Sequence, residues 1–218
     1  MDWEEHAERE EDRYRDGLER VPEDPDGRQK QLVRVAMAAT GAGLARLMQG
    51  RRAEAAGWFV RSAERFRESY ESAPPASWGR LIGAVKARIL AGDWEGAAAD
   101  ARWTLAERPD ESDSPIGRYA AALARLVLED DSEAAELAAA LTREQEEAFP
   151  RPVAEALAGL AARDRDRYAE GVGRVLESFE TREAYLEDVP VADTVIVLEA
   201  LAARRGLGAG RRSVLLPD

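Results

Sequence analysis

The chain has 218 residues and a hydrophobic fraction of 45%, enough for one large domain or one continuous helical array. Acidic residues outnumber basic ones by 43 to 31. The resulting net charge of -12 argues against binding to nucleic acid or anionic membranes, because a negative surface repels phosphate groups. Cysteine is absent, which excludes disulfides and thiolate chemistry and fits a reducing compartment.

Residues 1–27 are predicted to form a charged N-terminal helix or extension. Acidic and basic residues lie four apart, as in Glu5–Arg9 and Glu11–Arg15, which is typical of an exposed helix. Prolines and a glycine end this segment. The N-terminus lacks the pattern of a signal peptide, and no apolar run is long enough to cross a membrane, so we expect a cytoplasmic protein.

Residues 28–218 are predicted to be a single helical-repeat domain with an extended, apolar C-terminal tail. Alanine-rich segments with apolar residues at helical spacing alternate with short breaks of Gly, Pro or Asp. The predicted helices cover 28–49, 52–71, 78–91, 94–108, 115–127, 132–142, 143–149 as a continuation or a separate short helix, 153–160, 168–179 and 191–205. The β-branched run at 195–198 is predicted to be helical because it lies inside a longer periodic segment.

A repeat signal supports this domain. Gly92-Asp93-Trp94, followed by Ala97 and Pro109, is typical of the second half of a tetratricopeptide motif, where a tight turn precedes a closely packed helix. Weaker copies, unevenly spaced, begin at Gly50, Asp130 and Asp164. Such repeats bury their apolar faces only by stacking. The predicted fold is therefore all-α, with antiparallel helical hairpins stacked into a tetratricopeptide-like array or superhelix.

No catalytic, cofactor-binding or metal-binding residues are predicted. His6 is the single histidine and lies in the charged segment that is expected to be exposed. The acidic clusters at 4–5, 130–131 and 144–147 lack the spacing of a calcium loop and indicate solvated helix faces or helix starts. Gly41-Ala42-Gly43 lacks the third glycine of a dinucleotide fingerprint and falls within a predicted helix, which indicates close helix packing.

Arginine pairs and tryptophans are the remaining candidates for a binding surface. The pairs at 51–52, 204–205 and 211–212 indicate helix-end charges or partners of local carboxylates. Four tryptophans at helical spacing favour the core over an interface, with Trp78 and Trp94 the more exposed; the four are Trp58, Trp78, Trp94 and Trp103. The partner-binding residues stay unknown.

Several runs together carry a family resemblance: 77–80 leading into 86–93, then 114–120, 150–153, 160–164, and 198–207 followed by Ser213 and 216–217. On these runs, the chain from about residue 36 onward resembles the immunity protein 49 family of bacterial polymorphic toxin systems. The resemblance implies an all-α protein that neutralises a cognate toxin by binding it. It implies no active-site residues.

The favoured hypothesis is a non-catalytic immunity protein whose acidic surface meets a protein partner, a basic toxin domain. The alternative is a general helical-repeat adaptor or scaffold that binds a peptide or a protein complex. An enzyme is the third hypothesis and would need a buried carboxylate pair in a pocket. The sequence leaves open the binding face, a homodimer, and whether the acidity reflects salt adaptation, genome composition or the charge of the partner.

Overall fold

The computed structural model describes residues 2–185 and 188–218, and over these ranges the protein is all-α, with no β-strand. The helices of these ranges are α1 (Trp3–Glu19), α2 (Pro25–Met48), α3 (Arg52–Tyr70), α4 (Trp78–Ala91), α5 (Trp94–Ala106), α6 (Pro115–Val127), α7 (Asp131–Leu141), α8 (Arg151–Ala161), α9 (Arg165–Glu180) and α10 (Asp193–Arg204), with a short 3-10 helix at Pro109–Glu111. Within the groups α1 to α4 and α5 to α10, helices that follow each other in the chain pack as hairpins. The prediction of an all-α fold of helical hairpins is confirmed.

The chain divides into two compact units. Unit 1 comprises Met1–Asp93, Glu183–Val191 and Val214–Asp218, and it contains α1 to α4. Unit 2 comprises Trp94–Arg182 and Ala192–Ser213, and it contains α5 to α10. Among the described helices, none combines the length and the apolar character needed to cross a bilayer.

In unit 1 the charged first helix packs along α2 and is not an exposed extension. It buries a stripe at helical spacing that includes Ala7, Tyr14 and Gly17. A Cβ atom at Gly17 would lie 2.8 Å from Cγ2 of Val35, so the missing side chain lets the two helices approach. α1 is therefore exposed on one face, as expected, and buried on the other, where small residues and paired charges lie. The predicted boundary at residue 27 stays a prediction.

In unit 2 α8 and α9 pack closely together, and two glycines make this approach possible. A Cβ atom at Gly159 would lie 2.7 Å from Cα of Tyr168, and one at Gly171 would lie 2.6 Å from the backbone nitrogen of Ala156. Since backbone atoms cannot move aside cheaply, each glycine is required by the partner helix. The last helix, α10, packs on both α8 and α9.

The turns after α2, α4, α6, α8 and α10 share one backbone geometry. Each has a residue with positive φ, namely Gly50, Gly92, Glu129, Arg163 and Gly206. In each turn the following residue donates its N–H to the carbonyl five positions earlier, at 2.9–3.0 Å. This is the Schellman ending of a helix. The repeated turns are therefore real, although two of the weaker copies place a non-glycine residue at the strained position.

One ion pair recurs at two of these turns. Arg88 binds Asp93 at 2.8 Å and Arg125 binds Asp130 at 2.7 Å, in each case with the aspartate directly after the residue of positive φ. The turn at Gly92, which the sequence identified as part of a tetratricopeptide motif, joins α4 to α5, and these two helices belong to different units. That interpretation stays a prediction.

Four local expectations have a definite outcome. The run 195–198 is helical, as predicted. α2 begins at Pro25, inside the predicted break, because the Asp24 side chain accepts from the N–H of Gly27 and caps the helix. Residues 143–149 form turns, so the predicted helix there is wrong. In the C-terminal tail Leu215 is buried, whereas Val214 is 88% exposed.

Candidate functional site

His6 and Glu10 form a buried polar cluster on α1. The Glu10 carboxylate is fully buried and accepts from Nε of Arg9 at 3.1 Å and from Nη1 of Arg13 at 2.7 Å. Nη2 of Arg9 lies 2.9 Å from Nε2 of His6, and since a guanidinium only donates, the imidazole accepts. Burial, helped by the Arg9 charge, lowers the pKa of His6. The expectation that His6 is exposed is wrong, and its hydrogen bond serves the fold.

Arg46 organises a second charged network that joins α1 to α2. Its side chain is only 6% exposed, and it donates to Glu4 at 2.7 Å and to Glu11 at 2.8 Å. Burial opposes its charge, but the hydrogen bonds to the two carboxylates outweigh burial and raise the pKa of Arg46. The hydrogen bond from Arg46 lowers the pKa of Glu4. A buried cation thus holds the acidic helix in place, which the sequence pattern did not reveal.

A shallow depression of about 580 Å³ lies beside this network; its lining residues are Asp2, Trp3, Glu4, Gln49 and Arg51. Oδ1 of Asp2 accepts from the N–H groups of Glu4 and Glu5 and caps α1. Glu4 binds both Arg46 and Arg51. The carboxylates here are committed to the helix start and to ion pairs, so the depression does not resemble a catalytic site.

The acidic clusters named from the sequence serve mainly local roles. Glu4, Glu5 and Asp131 lie in first turns of helices, as predicted. The structure adds ion pairs to this interpretation, because Asp131 binds Arg163 and Arg205 while Glu144 binds Arg118. Within residues 2–185 and 188–218, no group of three or more metal-ligating side chains could hold a metal ion.

Five arginines of the three pairs bind local carboxylates or backbone carbonyls, and the glycine motif allows close packing of two helices. Arg205 is 2% exposed and donates to Asp131 at 2.5 Å and to the Leu126 carbonyl at 2.7 Å. The other partners are Glu4 for Arg51, the Asp218 backbone for Arg52, Glu129 for Arg204 and the Ala169 backbone for Arg211. A Cβ atom at Gly43 would lie 2.6 Å from the Phe59 ring, which confirms close helix packing.

The four tryptophans of the helical body are half-buried, which fits the expected partial exposure of Trp78 and Trp94. Trp58 packs on the core cluster that contains Tyr14 but is not itself fully buried. Two of the tryptophans carry a guanidinium over the ring, with Arg61 at 4.7 Å from the Trp58 centroid and Arg204 at 4.5 Å from the Trp94 centroid. Through these cation–π contacts an exposed arginine covers one face of the ring in Trp58 and in Trp94.

The strongest candidate for a binding surface lies in unit 2, at the loops 107–114 and 142–150. We call it the acidic end; its acidic residues are Glu107, Asp110, Glu111, Asp113, Glu144, Glu146 and Glu147. Arg118 joins the two loops, because Nη1 binds Glu144 and Nη2 donates to the Asp113 carbonyl at 3.4 Å. The Tyr119 and Phe149 rings, 5.3 Å apart, add a second contact between α6 and the later loop.

Four carboxylates of the acidic end are exposed and make no ion pair within the described part of the chain; they are Asp110, Asp113, Glu146 and Glu147. Ile116, in the first turn of α6 beside Arg118, is 40% exposed, which few large apolar residues of the described chain match. The sequence identified the second loop as acidic but gave no sign that the two loops meet. The contacts of Arg118 supply that information.

Comparisons of the chain with protein-family models, with curated proteins and with solved structures find no match.

Proposed function

We propose that this protein neutralises a basic protein toxin by binding it directly, without catalysis. The observation that carries the proposal is the acidic end, where two connected loops expose four carboxylates that make no ion pair among the described residues, and where α6 begins with the exposed Ile116. The resemblance of the sequence to the immunity protein 49 family supports the same role.

The acidic end has the composition of a binding surface for a basic partner. Exposed carboxylates steer a positively charged protein and accelerate its association. An exposed apolar side chain with a polar rim gives the contact that excludes water once the partner has docked. At the acidic end Ile116 is the exposed apolar side chain, and the carboxylates of the two loops are the exposed polar groups.

Nearby arginines leave these carboxylates available. Arg118 is engaged with Glu144 and the Asp113 carbonyl, and Arg151 donates to the carbonyls of Thr142 and Glu144 at 2.7 Å and 3.1 Å. These contacts fix the course of the backbone rather than neutralise the exposed side chains. A surface held in place before binding loses less conformational entropy on association.

The proposal is tested with the protein encoded beside this chain in its genome. Co-expression should rescue the growth of cells that produce the neighbouring protein, and the two purified proteins should form a stoichiometric complex that weakens with salt. The variant D110K/D113K/E146K/E147K should slow association by at least about tenfold, because it reverses the steering charge.

The matched control is E8K/E23K, which reverses exposed carboxylates in unit 1 that have no partner among the described residues. It should leave association within about twofold once the change in net charge is allowed for. I116S should mainly raise the dissociation rate, because it removes apolar contact area. Unchanged binding by the four-residue variant would reject the acidic end, and the absence of both complex and growth rescue would reject the immunity role.

A further inference from the structure

A separate group of cations lies in unit 1, where the starts of α2 and α4 meet the end of α3. Arg28 and Arg65 both donate to the Glu68 carboxylate, the latter at 2.6 Å. Arg80, in the first turn of α4, donates to the side-chain carbonyl of Gln29. We call Arg28, Arg65 and Arg80 the arginine corner.

The arginine corner holds more positive charge than its carboxylates neutralise. Three guanidinium groups have Glu68 as their only carboxylate, and no acidic side chain of the described residues lies within ion-pair distance of Arg80. The neighbouring Asp26 is engaged by Lys30 at 2.7 Å and by Gln29 at 3.1 Å. A chain with a net charge of -12 has many carboxylates that could have filled this role.

Hydrogen-bond donors are also in surplus here. Buried N–H groups without an acceptor include Nε of Arg65, Nε of Arg80 and the indole Nε1 of Trp78, the first residue of α4. The hydroxyl of Ser77 donates to the Pro74 carbonyl and does not cap α4. Buried donors are normally satisfied, so the described residues supply too few acceptors for Arg65, Trp78 and Arg80.

The position of Arg80 adds to this imbalance. The first turn of α4 has no acidic residue, and a cation there faces the positive end of the helix dipole. Burial lowers the pKa of Arg80, since the charged form loses hydration that no carboxylate replaces. An anion beside Arg80 would relieve the repulsion and accept from the end of its guanidinium group.

We propose that the arginine corner binds an oxyanion, a phosphate or a carboxylate group, beside Arg80 at the start of α4. Guanidinium groups bind both kinds of oxyanion through paired, charge-assisted hydrogen bonds. The site is open to solvent, because the side chains of Arg28 and Arg65 are 45% and 28% exposed. This site is independent of the acidic end and of toxin neutralisation.

The indole N–H of Trp78 is a local probe for the test. Inorganic phosphate is titrated into the full chain at constant ionic strength, and the indole resonances are followed by ¹H–¹⁵N NMR, with Trp78 assigned through W78F. The Trp78 signal should shift and saturate, whereas the indole signal of Trp3 should not. Succinate in place of phosphate shows whether the corner prefers phosphate or carboxylate.

Variants of Arg80 complete the test. R80Q should weaken binding by at least about tenfold. R80K should weaken it less, because lysine keeps the positive charge but lacks the paired N–H donors of a guanidinium group. R34Q, which removes an exposed arginine of α2 that has no partner among the described residues, should bind as the unchanged protein does. Circular dichroism verifies that each variant is folded.

Saturable shifts with phosphate, with succinate or with both would support the site and identify its preference. A linear, non-saturating shift of Trp78 with both anions would overturn the proposal, whether or not R80Q folds. The same affinity in R80Q as in the unchanged protein would overturn it as well.

Discussion

The first helix hairpin and the acidic end both have a surplus of carboxylates, and they use it differently. In α1 three acidic residues take part in the packing against α2: Glu10 is buried between two arginines, and Arg46 binds Glu4 and Glu11. At the acidic end the carboxylates of Glu146 and Glu147 face solvent without an ion-pair partner among the described residues. Charge in the first region stabilises the fold, whereas charge in the second is available for a partner.

Arginine placement causes this difference. In the first hairpin Arg46 comes from the opposite helix and reaches across to α1, so its charge joins two elements. At the acidic end Arg118 and Arg151 donate to backbone carbonyls as well as to Glu144, so they hold the loops together. The exposed carboxylates beside them keep their charge.

Removal of the buried Arg46 side chain should change the stability of the protein more than any other substitution considered below. R46M should lower the free energy of unfolding by about 3 kcal/mol, because it leaves Glu4 and Glu11 without their shared partner. Urea unfolding followed by circular dichroism measures the change. The control R34M, in the same helix but at an exposed arginine, should stay within about 0.5 kcal/mol. Equal stabilities of the two variants would show that the network does not hold α1.

Acid should weaken the first hairpin through Glu4. The hydrogen bond from Arg46 lowers the pKa of Glu4 below its reference value of 4.5. A lowered pKa in the folded state gives stability that is present above the unfolded value and is lost as the pH falls through the folded value. Between about pH 5 and about pH 3, the free energy of unfolding should therefore fall less steeply in E4Q than in the unchanged protein.

E8Q is the control for this measurement, since Glu8 is an exposed residue of the same helix without an ion-pair partner in the described chain. The free energy of unfolding of E8Q should fall with pH as it does in the unchanged protein. If the free energy of unfolding of E4Q fell with pH as steeply as it does in E8Q and in the unchanged protein, Glu4 would not contribute to the network.

The smallest effect is expected at the acidic end. The variant D110N/D113N/E146Q/E147Q should change the free energy of unfolding by no more than about 0.5 kcal/mol per site, because these side chains make no ion pair in the described chain. Any change at low salt should be an increase in the free energy of unfolding, because the repulsion between the two acidic loops decreases. A loss larger than this in urea unfolding would mean that the carboxylates stabilise the loops.

Much of the helical framework could be read from the sequence. Apolar spacing and the breaks at Gly and Pro located α4 with its observed bounds, and Gly41-Ala42-Gly43 correctly indicated close packing. The start of α2 was missed because an aspartate cap and a proline at the first position resemble a break. The helix predicted at 143–149 is absent because local composition does not reveal that Phe149 is buried and the loop is held by Arg118 and Arg151.

The candidate surface was less predictable. The sequence contained both acidic loops, but nothing local indicated that Arg118 connects the Asp113 carbonyl to Glu144. It also placed His6 and Glu10 of α1 in solvent, because charged residues at i,i+4 spacing are typical of exposed helices. Burial of these groups depends on partners from another helix, which helical spacing does not specify.

The all-α class, the helix-ending turns and the surplus of negative charge follow from the amino-acid sequence alone, because propensity, turn chemistry and composition are local or additive properties. Which charges are buried and which stay exposed depends instead on how the helices pack. That choice depends on whether a cation such as Arg46 or Arg118 reaches a carboxylate from a distant part of the chain. The energy of a charge is set by its neighbours in space, so the same glutamate can support a helix or face a partner.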